Sequence, residues 1–454
     1  MTNRLAEKSP GQLRGNGSWA FYTGIGLLII LMVTPGFLRP DAAVAATMDE
    51  VKMENQNPRL LRLSLDDALS IFLLQNQDLL IAKYGIETAK AQKITAGLFP
   101  NPELSITGFG AFTQKCTFSD CRGILPGISQ LFEVAGKRGF RIESAELGTQ
   151  SAEASFEDTL RQLGFTVKDT YYRVQVERRH LEVDKKRRDR LKRFVEKMIG
   201  DSPKKETMEK QEDLIRLQLQ QIRTEAWVIG DIQNMETASS EFRILLRLAP
   251  ETELDLTTDL KYQRVDPDIA KLRNQLTEKR PDIRAKRLLY SQRRSELKLA
   301  HAMQYPDVTV GVGFMMQGPT GPDNQQQWTA TLGVPLPVFD RNQGGMMEAA
   351  TSVQMAETEL QKTLNAVHNE VNTAYRRLLH SRLLVETYGA SALDAAESLF
   401  NTVEQAYKDG KTTNLHFLDA ARTANDIQEA YLDALYNYQR NILLLESAAG
   451  QIIN

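Results

Sequence analysis

The chain has 454 residues, of which 25% are charged and 42% hydrophobic, and 56 basic residues balance 58 acidic ones to a formal net charge of -2. That balance excludes an electrostatic nucleic-acid binder, which needs a basic excess or a basic face. A mean hydropathy of -0.37 excludes a polytopic helical membrane protein. Five histidines and two cysteines leave little material for a metal module, and Cys116 and Cys121 lack a second cysteine pair or a nearby histidine.

The first segment, residues 1–46, reads as an export signal. Arg4, Lys8 and Arg14 precede the apolar run Trp19 to Val33, and Ala43-Val44-Ala45 supplies small residues for cleavage. An uncleaved anchor is the alternative, although Pro35 and Arg39 cut the span short. No cysteine lies near the cleavage site to carry a lipid. Beyond Ala46 no apolar stretch approaches the ~20 residues of a spanning helix. An exported chain of this kind is either periplasmic or crosses a membrane as strands.

Helix breakers are unevenly placed in the remainder. No proline falls between Pro126 and Pro203, between Pro203 and Pro250, or after Pro337. Those gaps are rich in good helix formers, and a proline inside a helix costs roughly 3 kcal/mol. Phe140 to Ile199 alone predicts about 90 Å of helix at 1.5 Å per residue. Leu214, Leu217, Leu219 and Ile222 form an apolar stripe at helical spacing, as do Leu393, Ala396, Leu399, Val403 and Ala406. The other prolines cluster around two strand-rich islands, 101–133 and 307–337. In the second, Val308, Val310, Val312, Phe314 and Met316 alternate with polar and small residues. Trp328, Ala330, Leu332, Val334 and Leu336 do the same. In the first, Leu104, Ile106 and Phe112 alternate with Glu103, Ser105 and Thr107, while Ile124 to Glu133 alternates less cleanly.

The halves repeat. Asp78 and Asp282, Pro100 and Pro306, Leu131 and Leu336, Gly200 and Gly410 are matched at a steady spacing of roughly two hundred residues, which predicts an internal duplication. Residues 47–260 form the first expected repeat and 261–454 the second. Each reads helix, two-strand hairpin, long helix, glycine break near 200–210 or 410, long helix. Asp255 to Asp268 is a polar joint between them. The expected fold is mainly α with a small antiparallel β part. Strands of about 10 residues suffice to cross a bilayer when tilted. Strands cross lipid only as a closed barrel, and known barrels start at about 8 strands. Four strands per chain therefore predict a homotrimer with a 12-strand transmembrane barrel. A periplasmic structural coiled-coil protein with two exposed hairpins is the alternative from another class.

Enzyme chemistry has no support. There is no phosphate-binding loop, no His-Glu-x-x-His and no nucleophile elbow. No catalytic, cofactor-binding or metal residues are expected. His180, His301, His368, His380 and His416 are scattered, and none has a second histidine three or four residues away.

Several motifs carry a resemblance to a known family. They are Leu65-Asp66-Asp67-Ala68-Leu69, Leu98-Phe99-Pro100-Asn101-Pro102, Arg280-Pro281-Asp282, Tyr305-Pro306-Asp307 and the glycine breaks at Gly200 and Gly410. From about Leu63 onward the chain resembles the TolC-like outer-membrane efflux family. Phe132-Glu133-Val134-Ala135-Gly136-Lys137-Arg138 and Val334 to Gly344 resemble its heavy-metal (CzcC-like) branch. The resemblance implies a trimeric barrel in outer-membrane lipid, continued by a periplasmic α-barrel of long helical hairpins. It implies docking through a membrane-fusion adaptor to an inner-membrane pump of the resistance-nodulation-division (RND) class. Cargo is then heavy-metal cations; a drug-efflux or type I secretion channel has the same architecture. The tips Gly200, Lys204 and Lys205, and Gly410, Lys411 and Thr412, become adaptor contacts. The first tip is longer and more charged than the family pattern. Asp419 matches a family acidic position at the periplasmic gate, and His416 replaces another. Three residues apart on a helix, they share a face. A carboxylate ring at a constriction selects cations, and an imidazole ring changes charge between about pH 5 and 8. The alternative has His416 packed between helices. Cys116 and Cys121 fall in the loop joining the first two strands, facing outward. Export favours a disulfide there over two free thiols.

Overall fold

The computed structural model describes residues 60–110, 122–200, 208–317 and 326–453. The signal segment, Cys116, Cys121, Lys204 and Lys205 lie outside the described residues. The chain opens with β1 (Leu60–Leu63), α1 (Leu65–Gln75), α2 (Gln77–Gly97), β2 (Glu103–Gly110), β3 (Arg122–Phe132), α3 (Lys137–Gly200) and α4 (Met208–Leu246). It continues with β4 (Glu253–Leu256), α5 (Ile269–Lys279), α6 (Pro281–Ala302), β5 (Val308–Gln317), β6 (Gln327–Gly333), α7 (Gln343–Tyr388), α8 (Ala390–Lys408) and α9 (Asn414–Ala449). The fold is mainly α with a small antiparallel β part. Among the described residues, no helix is long and apolar enough to cross a membrane.

Local chemistry sets the helix ends. Ser64 and Asp67 form a reciprocal capping box on α1: the Asp67 amide donates to Ser64 Oγ at 3.1 Å, and the Ser64 amide donates to Asp67 Oδ2 at 3.1 Å. Asn76 caps α2 and donates its amide to the Leu245 carbonyl at 3.0 Å, tying α2 to α4. Pro281 opens α6, where its missing N–H costs nothing. α3 runs 64 residues without a proline, or about 96 Å. α7 and α8 part at Gly389, a break the sequence reading did not anticipate.

β2-β3-β5-β6 form one antiparallel sheet in that order. The register aligns Leu104 with Ile128, Ile128 with Val312, and Val312 with Ala330; Ile106 faces Pro126, and Phe314 faces Trp328. One face is therefore apolar, and it is exposed: Leu104 is 74%, Trp328 77% and Leu332 71% accessible. The opposite face carries Ser105, Gly127, Ser129, Gly311, Gly313, Thr329 and Thr331. A Cβ on Gly313 would lie 2.8 Å from Thr329 Oγ1 and 3.2 Å from Leu125 Cδ1, so this face has no room for a side chain there. The irregular alternation after Ile124 has its cause in Pro126. The β3–β5 pairing breaks after Ile124 and resumes at Gly127, because proline donates no ladder hydrogen bond. The expected final strand is shorter than its alternation implied. β6 ends at Gly333, and Val334 to Pro337 lie outside the ladder, since Pro335 and Pro337 have no N–H to give.

The 255–268 joint is more ordered than a polar linker. β4 pairs with β1 in parallel, Leu60 opposite Glu253 through Leu63 opposite Leu256, and Arg62 Nε meets Asp255 Oδ2 at 3.1 Å. Two buried tyrosines fasten it. The Tyr171 hydroxyl donates to the Leu63 carbonyl and accepts from the Thr258 amide, both at 3.0 Å. The Tyr438 hydroxyl donates to the Gln263 carbonyl at 2.9 Å and accepts from the Val265 amide at 3.0 Å. Around them Val167, Phe242, Leu246, Leu260, Leu378 and Leu445 form the main core. Replacing Tyr171 by Phe leaves the half-buried Thr258 amide without its acceptor and the Leu63 carbonyl with the Thr257 amide alone, and should cost about 1–3 kcal/mol in thermal or denaturant unfolding. An unchanged midpoint would show that the joint does not depend on this hydroxyl.

Candidate periplasmic mouth and barrel junction

Where the sheet meets the helices, the sequence motifs become a stapled corner. Gly136 adopts φ 73°, a left-handed conformation that suits glycine, and turns the chain from β3 into α3. The buried Lys137 ammonium donates to the Tyr305 carbonyl and to Asp307 Oδ1, each at 2.7 Å, while the Val134 amide donates to the same oxygen at 3.0 Å. Arg141 grips Glu133 through two bonds of 2.6 and 2.9 Å and also donates to the Ala96 and Leu98 carbonyls. Arg138 donates to the Gly97 carbonyl and lies over the Phe99 ring at 4.2 Å. These contacts join the exit of β3 to the end of α2 and to the start of β5. The Glu133 to Arg141 segment positions the sheet on the helices.

At the far end of the long helices, α8 turns into α9. The turn is a Schellman closure: the Lys411 amide donates to the Ala406 carbonyl at 2.8 Å, and Gly410 takes φ 72°. A Cβ on Gly410 would meet nothing within 4 Å, so backbone conformation alone selects glycine. Thr413 caps α9, its hydroxyl accepting from the His416 amide at 3.5 Å. Lys411 is exposed and pairs with Asp409 at 3.1 Å; Thr412 is half-buried. Gly200 ends α3.

The mouth is held by aromatic rings that sequence reading missed. Phe417 is 3% exposed and stacks on Phe194 with centroids 4.4 Å apart. Tyr407 lies 5.0 Å from Phe194 and 5.4 Å from Phe417, and Phe400 lies 5.8 Å from Phe417. Arg190 of α3 sits over the Phe400 ring at 4.6 Å. Burial, and then the charge of Asp213, pushes the Tyr407 phenol above its ordinary range. Asn414 is buried and donates to the Asp213 carbonyl at 3.2 Å, leaving its own Oδ1 without a hydrogen-bond partner. The signal was present in the spacing of Phe400, Tyr407 and Phe417, but their convergence on Phe194 needs two hairpins brought together.

His416 and Asp419 are both exposed, on the face of α9 turned away from Asn414, Phe417 and Ala420. Within the chain, His416 is therefore not packed between helices. Among the described residues no group of three His, Cys, Asp or Glu side chains is placed to hold a metal ion.

Comparison with known proteins decides what this architecture is. Residues 272–451 match the model of the outer membrane efflux protein family. Over those residues the chain carries the outer membrane efflux protein domain. It is 25% identical over 419 residues to the cobalt-zinc-cadmium resistance protein CzcC of Cupriavidus metallidurans, covering 90% of this chain and 96% of that one. It is 27% identical over 205 residues to the pyoverdine export outer membrane protein OpmQ of Pseudomonas putida, covering 42% of this chain and 41% of OpmQ. A solved structure of CusC superposes with a TM-score of 0.70 at 18% identity, covering 88% of this chain and 96% of that one. This outer-membrane efflux protein is thus a transport duct with a long helical extension into the periplasm.

Phe417→Ala removes the ring at the centre of the mouth cluster, and core truncations of this kind cost about 3–5 kcal/mol. The expected result is faster protease cleavage at the Gly410 turn of the purified protein. Cleavage at the wild-type rate would mean that the rings do not hold the mouth.

Proposed function

We propose that this outer-membrane efflux protein is the exit duct of a tripartite system that expels heavy-metal cations. It would act as a homotrimer joined by a periplasmic adaptor to an inner-membrane RND-type pump. The observation that carries the cargo is the similarity to CzcC along nearly the whole chain. Trimerisation is supported by the sheet. Among the described residues β2 and β6 stand at the ends of the sheet, lipid offers edge backbone groups no partner, and three copies supply twelve strands. α4 adds a second seam: Ile215, Leu219, Ile222 and Ile229 are exposed at coiled-coil spacing. The proposed repeats, 47–260 and 261–454, are supported by the recurring order helix, helix, hairpin, long helices. β4 lies just before that division.

The proposed gate is Asp419 with His416, three copies of each around the periplasmic mouth; their exposure on one face of α9 supports this. Gly200, Lys204, Lys205, Gly410, Lys411 and Thr412 are the proposed adaptor contacts. Cys116 and Cys121 are the proposed outward-loop disulfide. Partial similarity to OpmQ favours a second reading, in which the cargo is an organic molecule.

Deleting the gene should sensitise cells to divalent metals; sensitivity to lipophilic drugs alone would overturn the cargo. In planar bilayers, Asp419→Ala should reduce cation selectivity or raise conductance, and His416→Ala should flatten its pH dependence. A His416→Ala channel with the wild-type pH profile would remove the histidine from the gate.

A further inference from the structure

Well above the mouth, α3, α4 and α9 meet around a cluster of charge. Arg187 lies 13 residues before the end of α3, or about 20 Å along the helix. α3 presents Glu177, His180, Asp184 and Arg187 at spacings of three and four, hence on one face. α4 contributes Asp231 with Trp227, and α9 contributes Glu429 and Asp433. His180 Nε2 is 3.1 Å from Asp433 Oδ1. Arg187 Nη1 donates to Glu429 Oε1 at 2.9 Å, and its guanidinium lies 4.2 Å over the Trp227 ring. Asp184 Oδ1 is 2.6 Å from Arg187 Nη2, an ion contact without hydrogen-bond geometry.

The cluster is charge-imbalanced, buried on its α3 side and open to solvent at Asp433 on α9. The Asp184 side chain is 7% exposed, that of Arg187 12% and that of His180 16%. Asp184 Oδ1, Asp231 Oδ2 and Arg187 Nε are buried without hydrogen-bond partners. Five carboxylates, of which Asp433 is exposed, surround the Arg187 guanidinium and the His180 imidazole, while the Arg223 guanidinium lies 4.8 Å over the Trp227 ring. Inside a protein a buried carboxylate either finds a partner or takes up a proton.

We propose that this cluster is a proton-operated clamp, in which proton uptake tightens α9 against the α3–α4 hairpin and proton release loosens it. The groups titrate in one direction. Burial, then the charge of Asp184, pushes the Asp231 carboxyl up to about 6. Burial raises Glu429 also, against the pull of Arg187. Burial draws the His180 imidazole down, but the hydrogen bond and charge of Asp433, with Glu177 and Asp231, more than offset it and hold it above its ordinary value. The packed junction therefore binds protons more tightly than a separated one. Its stability falls as pH rises, first while Asp231 would titrate in the separated state, from 3.8 to about 6. It falls further above the ordinary histidine value of 6.5, as His180 loses its proton. An acidified periplasm would keep the two hairpins together.

The test is hydrogen exchange of α9, read by mass spectrometry on the purified full chain at about pH 5.5 and about pH 7.5 and corrected for the intrinsic rate. Peptides spanning Glu429 to Asp433 should open about fivefold more often at the higher pH in the wild type. Asp231→Asn, a permanently neutral side chain, should lose most of that difference and stay protected at both values. His180→Gln keeps a donor for Asp433 without titrating, and should lose the part above pH 6.5; it also serves if Asp231→Asn fails to fold. A wild type with equal protection at both values overturns the clamp. So does an Asp231→Asn protein with the full wild-type difference. Exchange is read without transport, so either result leaves the exit-duct reading intact.

Discussion

Backbone amides and carbonyls find no partner in hydrocarbon, and this chain carries a four-stranded sheet with an edge at β2 and another at β6. Much of the rest of the structure follows from that constraint. The apolar face of the sheet is turned out, where Leu104, Ile106, Val312 and Trp328 have no protein to cover them. The other face is built of glycine, serine and threonine, small enough for a tightly curved wall. Gly313 shows how little room is left, since any side chain there would meet Thr329 and Leu125.

A four-stranded sheet set at the end of long helices needs a rigid base. The corner built by Lys137, Asp307, Arg141 and Glu133 provides it, with ionic hydrogen bonds that also satisfy carbonyls at the end of α2 and before β5. Such bonds are shorter and stronger than neutral ones, and the bidentate Arg141–Glu133 pair fixes direction as well as distance. The same logic recurs in the body of the protein. Arg280 is almost fully buried, forks onto Asp282, and donates to the Ala448 carbonyl at 2.8 Å, fastening the end of α9 to the start of α6. Burial raises the Asp282 carboxyl, yet the hydrogen bonds and charge of Arg280 prevail and hold it below its ordinary value. Long helices that are polar over most of their surface are thus pinned at a few charged or aromatic points.

Those points divide the periplasmic part into zones with different character. Near the joint, Tyr171 and Tyr438 bind neutral backbone groups in the main core. At the mouth, stacked rings resist separation with Arg190 lying over one of them, while His416 and Asp419 are exposed. Between them lies the Asp184–Asp231–Glu429 cluster, where buried charge is left partly uncompensated. A helix pair that is firm at the joint and charged midway can change its packing at one level without unfolding at another.

Sequence alone determined the class of the molecule. Proline placement marked the long helices, period-two alternation marked the hairpins, and the recurrence of Pro100 and Pro306, Asp78 and Asp282 placed them in matching order. These are local signals, carried by one element at a time. It did not show β1 and β4, because four residues such as Leu60 to Leu63 are too few to display a period, and their pairing joins segments about two hundred residues apart. It overran β6, since alternation continues through Val334 and Leu336 after the prolines have removed the ladder's donors. It read His180 as an isolated histidine. Only the meeting of α3 with α9 gave His180 its carboxylate, and only the approach of α8 placed Arg190 over Phe400. Patterning is written in neighbours along the chain, whereas burial, ionic partnership and ring stacking depend on distances across it, and those exist only once the hairpins have packed.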